Sequence, residues 1–183
     1  MRTVILFLFA MRCIPMLAQG SDGATALTFS RSVSVPLNGV QLYDKTLDAL
    51  NWTFGKEPGA KLVLADRGSG TLEMSARVNF RSVMLTGREE TMGTILYTVH
   101  VQVNAGEMRV VVSGLTHTGN RNTARGGIHV GPLMRVDTDA RQTSGLGRTN
   151  VVRLHAELRQ VASERINTLL QALEARVRAN AEP

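Results

Sequence analysis

The segment TILYTVHVQVNAGEMRVVVSG, residues 94–114, alternates apolar and polar side chains along most of its length. Successive side chains of a strand point to opposite faces, so this period of two predicts a hairpin with one buried and one open face. Setting Asn104 opposite Glu107 brings Val103 to Met108, Val101 to Val110, Val99 to Val112 and Tyr97 to Gly114, all on the apolar face. A slip of one residue would set these valines against Arg109, Val111 and Ser113 and mix the faces. Both Ala105-Gly106 alone and a four-residue loop keep the required parity.

Upstream, Leu27, Phe29, Val33 and Val35 alternate in the same way, which predicts a strand over residues 26–35 that Pro36 ends. Asn38 with Gln41 resembles a capping box, and Leu37 with Leu42 a hydrophobic staple, so a helix is expected to start there. Tyr43, Leu47, Leu50 and Phe54 fall on one face of it, and Gly55 is placed to supply a left-handed C-cap. Trp52 sits off that stripe, either packed at the flank or marking an exposed contact. KLVLAD and TLEMSARVNFR flank the turn-rich Arg67-Gly68-Ser69-Gly70 and predict a further hairpin.

Residues 119–147 hold six of the 17 glycines with little periodicity and read as a long mobile loop, in which GIHVGPLMRV is able to add a short strand. Over residues 151–179 the period becomes helical, with Leu158, Ala162, Ile166, Leu169, Leu173 and Val177 on one stripe. A helix of that length reaches about 45 Å, more than a strand of ordinary length covers. Its far end is therefore expected to fray, to bind a partner chain or to pack on a second subunit. The order β-α-β-β-β-β-α gives one two-layer α+β domain, an antiparallel sheet with two helices on its apolar face.

Composition bears on the compartment only through the first residues. MRTVILFLFAMRCIPMLAQG has a basic start, an apolar run and a small residue at Ala18, the grammar of a secretory signal over residues 1–18. The run is too short for a transmembrane helix, which leaves no membrane span after cleavage. Cys13 is the single cysteine, so a chain that begins near Gln19 has neither disulfides nor thiolate chemistry and is expected to be periplasmic or secreted. Charge is uneven as well. Residues 19–118 balance nine basic against nine acidic side chains, whereas the remainder carries ten Arg against six Asp or Glu. Such an excess fits either an anionic partner or an Arg-rich, solvated helix.

YDKTLDALNWTFG, LVLADRGSGTLEM and ILYTVHVQVNAGEMRVVV resemble a family of exported bacterial domains of unknown function, seen mainly in Bacteroidetes-type secretomes, whose fold is like half of the TATA-binding protein (TBP-like). The resemblance spans residues 33–118 and rests on Tyr43, Trp52, Asp66, Gly70, Tyr97, Gly106 and Arg109. It implies a strand, a helix, four antiparallel strands and a helix, and no established activity. A DNA-binding relative in fold does not transfer DNA binding, because function belongs to sites. The resulting organisation is a leader at 1–18, a TBP-like core at 19–118, a Gly/Arg-rich loop at 119–149 and a helix at 150–183 that completes the domain.

Candidate chemistry lies on the second face of the hairpins, where Thr98, His100, Gln102, Arg109, Ser113 and His117 are joined by Glu73, Ser75, Arg77 and Asn79. One wet face is normal for an antiparallel sheet. The sharper reading is a shallow site for a polar or anionic ligand, with Arg77 and Arg109 as carboxylate or phosphate clamps and His100, Gln102, Ser113 and Glu73 as further contacts. Leu96, Val111 and Leu115 are expected on the same face and make a protein partner conceivable there. The histidines show no metal-ligand spacing, no serine has a nucleophile-elbow context, and no cofactor or catalytic residue is assigned. Few aromatics remain to stack on bases, which argues against nucleic acid. The expected function is therefore a non-enzymatic binding or interaction module of the cell envelope that uses its open sheet face. The alternatives are a homo-oligomer or an anionic-surface binder acting through the last helix and basic loop, and, third, an uncharacterised hydrolase.

Overall fold

A computed structural model describes residues 25–124, 126–135 and 145–180. The expected leader, residues 1–18, and the central part of the Gly/Arg-rich loop lie outside the described residues. The chain runs through β1 (Phe29–Ser34), α1 (Gly39–Trp52), β2 (Lys61–Asp66), β3 (Thr71–Phe80), β4 (Gly93–Asn104), β5 (Glu107–Gly119), β6 (Gly131–Pro132) and α2 (Arg148–Ala179). All pairings are antiparallel, in the order β1-β5-β4-β3-β2, with β6 beside the far end of β5. This is the α+β architecture expected, a TBP-like order of elements closed by a long C-terminal helix.

Local chemistry explains the punctuation. The Asn38 side chain accepts a hydrogen bond from the Gln41 amide at 2.9 Å and caps α1. At the other end Gly55 is not the cap. The Thr53 amide and its hydroxyl both reach the Ala49 carbonyl, at 3.1 and 2.8 Å, so the last turn is satisfied without a left-handed residue, and a short 3-10 turn, Phe54–Lys56, follows. Between β2 and β3 the Asp66 carboxylate accepts from the Gly68 and Ser69 amides and from the Ser69 hydroxyl, which holds it below the usual carboxylate range. Gly70, at φ +68°, completes that turn.

The core lies between one sheet face and the helices. Val99, Val101, Val103, Val110 and Val112 are all buried, together with Leu42 and Leu50 of α1 and Leu154, Leu158, Ala162 and Ile166 of α2. Leu173 and Val177 are buried too, so the far end of α2 neither overhangs nor frays before Ala179. The reason is strand length. At about 3.3 Å per residue, the 12 residues of β4 and 13 of β5 reach about 40 Å, enough to carry most of a 32-residue helix. Arg176 and Asn180 also reach Asp48 of α1, at 3.3 and 3.2 Å, and Arg31 of β1 meets Glu174 at 3.1 Å.

The described part of the Gly/Arg-rich loop is a strap tied to the sheet, in contrast to the mobile loop expected there. Ile128 donates to the Glu90 carbonyl at 2.7 Å, Leu133 to Leu115 at 2.8 Å, and Leu27 to Leu133 at 2.8 Å, while Ile128 and Leu133 are buried. Glycine permits the approach: a Cβ on Gly119 would stand 2.4 Å from the Ile128 carbonyl oxygen. On the opposite edge, every residue of β2 is exposed, and a bulge between Leu62 and Leu64 with Lys61 beside it blunts that edge against further pairing.

Candidate functional site

The uncovered face is built row by row from the register. One row sets Leu64, Glu73, His100, Val111 and Ser30 side by side across five strands. The next sets Asp66, Thr71, Gln102, Arg109 and Ser32. On the other side of the first row lie Ser75, Thr98 and Ser113. Glu73, His100, Gln102, Arg109 and Ser113 thus form one polar patch over the middle of the sheet, with half-buried Val111 within it.

Within this patch the side chains differ in freedom. His100 Nδ1 lies 3.5 Å from Glu73 Oε2, and both side chains are open to solvent, so the contact has little effect on stability. Gln102 is committed at both ends: its Nε2 donates to the Ser69 carbonyl at 2.8 Å and its Oε1 accepts from Thr71 Oγ1 at 3.2 Å. Its role is to fix the β2–β3 turn. Ser113 is half-buried opposite Thr98. Arg109 is exposed beside Gln102.

Arg77 is elsewhere. It stands six residues along β3 from the Thr71 row and two strands across from β5, about 20 Å by 10 Å from Arg109. Its side chain lies against Gly59 of the loop before β2, with Nε 3.2 Å from where a Cβ would stand. Arg77 and Arg109 therefore do not form one clamp on a small anion. Beside Arg77 in its row, Leu96 is 46% exposed, the largest apolar surface on this face of β4.

His117 and Leu115 are not on this face at all. Leu96 and Thr98 of β4 are two residues apart, whereas their partners Thr116 and Ser113 are three apart, so β5 carries one extra residue at Gly114, φ +69°. The bulge inverts the alternation beyond it and places His117 opposite Ile95, with both His117 and Leu115 under the helices. A glycine inside a strand is the signal that announces such a bulge. His117 Nδ1 accepts from the Val130 amide of the strap at 3.4 Å, and the ring stands edge-on to Phe80 with centroids 5.6 Å apart. Nε2 has no hydrogen-bond partner and fits only because Gly93 lacks a side chain, whose Cβ would be 2.9 Å away. Burial, with His129 and His155 nearby, pushes this imidazole down to about 4.

Two open clefts border the sheet at opposite ends. One of about 480 Å³ lies between the start of α1 and the two turns, lined by Asn38, Gln41, Arg67, Ser69 and Asn104. The other, about 390 Å³, is lined by Phe80, Met92, Thr94, Thr118, Asn120 and Arg121. Among the described residues no group of three or more His, Cys, Asp or Glu could hold a metal ion, and no helix is long and apolar enough to cross a membrane. Trp52 is exposed but engaged, with Lys56 Nζ 4.6 Å and the Arg176 guanidinium 4.8 Å from its ring centre.

A long antiparallel sheet roofed on one face by two helices and bare on the other defines a two-layer α+β domain. A DUF4468 family protein from Bacteroides ovatus shares the fold at a TM-score of 0.50 and 17% identity, over 83% of this chain and 91% of its own. A TBP-like protein from Parabacteroides distasonis aligns at a TM-score of 0.49 and 10% identity, over 81% of this chain and 93% of its own. At these identities the first likeness is one of fold. No protein-family model matches the chain, and no curated protein matches it either.

Proposed function

We propose that this protein is a non-enzymatic binding module that acts in the cell envelope after export and presents the open face of its sheet to a polar or anionic ligand. The observation that carries this reading is the central patch of Glu73, His100, Gln102, Arg109 and Ser113. It is assembled from three strands, left uncovered by both helices, and stiffened by the bonds from Gln102 to the first turn. Arg109 supplies the fixed charge, and His100 and Glu73 place a ring nitrogen and a carboxylate oxygen 3.5 Å apart beside it. The leader-like start of the sequence supports the placement in the envelope. Arg77 falls outside the site.

Thermal unfolding with and without periplasmic metabolites and cell-wall fragments tests this reading. A ligand that raises the midpoint of the parent is expected to lose that effect in Arg109→Ala and His100→Ala and to keep it in Arg77→Ala. Ligand shifts that survive both central substitutions would reject the patch.

A further inference from the structure

We infer that the end of the domain formed by the β3–β4 loop and the start of α2 docks on an anionic phospholipid surface. Val83 is 77% exposed and Met84 57%, the two most exposed large apolar side chains among the described residues, and they are consecutive. The loop that carries them is not slack. Glu157 of α2, only 5% exposed, accepts from Ser82 Oγ at 2.5 Å, from the Val83 amide at 2.5 Å and from the Met84 amide at 3.4 Å. Ser82 Oγ in turn accepts from the Leu85 amide at 3.0 Å, and Leu85 is buried as a plug in the core.

A buried carboxylate is costly unless satisfied, and here its hydrogen bonds serve to hold two apolar side chains outward. Folding alone gives no return on that display. The charge around the tip selects the partner. Arg81 precedes the tip and is exposed, and Arg153, one helical turn before Glu157, is exposed beside it. Arg148 is exposed in the first turn of α2, which contains no acidic side chain, and Val152 adds a further apolar patch at 39% exposure. Arg88 is bound to Glu90 at 3.4 Å and contributes little net charge, and Glu89 is the exposed acidic residue of the loop. A protruding apolar pair flanked by arginines that have no ion-pair partner among the described residues matches a lipid interface, where the side chains enter the acyl boundary and the guanidinium groups meet phosphate. Docking end-on leaves the open sheet face clear, and the inference stands independently of the ligand site proposed there.

Co-sedimentation with phosphatidylcholine vesicles, with and without phosphatidylglycerol, tests the assignment. The parent is expected to pellet with phosphatidylglycerol vesicles, weakly with phosphatidylcholine alone, and less as salt rises. The doubly substituted V83S/M84S protein, altered only at solvent-exposed side chains, is expected to keep the parent's unfolding midpoint and to lose binding about tenfold or more. R81Q/R153Q is expected to lose the preference for phosphatidylglycerol. A parent that stays in solution, equal binding to both vesicles, or V83S/M84S binding as the parent does would each overturn the inference.

Discussion

The two faces of the same β4–β5 hairpin meet different fates. On one, Val99, Val101, Val103, Met108, Val110 and Val112 disappear beneath α1 and α2. On the other, His100, Gln102, Asn104, Glu107 and Arg109 remain exposed, and Val111 is only half-buried. Neighbouring residues in sequence thus experience opposite environments, and the difference shows that this sheet is specified by its covered face while the other is left to chemistry. Substitutions on the first should act on stability, and substitutions on the second on binding.

The largest effect is expected where the roof meets the sheet. Ile166→Ala removes a fully buried side chain from α2 and should lower stability by about 4 kcal/mol in chemical denaturation, the range for large-to-small core changes. Next comes pH. His117 binds its proton near 6.5 when unfolded but near 4 when folded, so between those values the unfolded state holds more protons and stability falls as pH is lowered. The contribution is intact above about pH 6.5 and declines by up to about 3 kcal/mol on approaching pH 4. Denaturation of the parent against His117→Asn across that window isolates it, and parallel pH profiles would contradict the burial of this ring.

A smaller loss is expected from Gly114→Ala. A Cβ at φ +69° costs about 1 kcal/mol, and the variant tests whether the bulge, and with it the exchange of faces at His117, is anchored at this residue. Smallest are the open-face changes. Arg109→Ala and His100→Ala should leave unfolding within about 0.5 kcal/mol of the parent. A large destabilisation from either would mean that the exposed patch carries part of the fold.

The register was legible from Asn104 and Glu107 as far as Thr98 and Ser113 because one-residue slips there would bury charge. Past Gly114 the same logic failed, since the bulge moves the buried set from even to odd positions and a strictly alternating register carries the wrong parity past it. The ends of α1 and α2 show a similar limit. Asn38 announces its cap in a local motif, whereas the Thr53 closure rests on a hydroxyl bond back to Ala49 that competes with the glycine signal at Gly55, and the cover over Val177 depends on how long the strands turn out to be. Of the candidate site, the alternation identified the face and most of its members. It could not show that Arg77 and Arg109 stand far apart, because distance along a strand adds to distance across strands only once the order β5-β4-β3 is known. The role of Glu157 had no local signal, for its partners are 73 to 75 residues away.

The central claim is that the polar row of β4 is uncovered while its apolar row is sealed. Single cysteines at positions 101 and 102, introduced as Val101→Cys and Gln102→Cys in a Cys13→Ser background, test it by their rates of reaction with a thiol reagent under native conditions. The account predicts that the Gln102→Cys thiol reacts at close to the rate of the unfolded chain and that the Val101→Cys thiol reacts only as the protein unfolds. Equal rates, or a protected position 102, would contradict it.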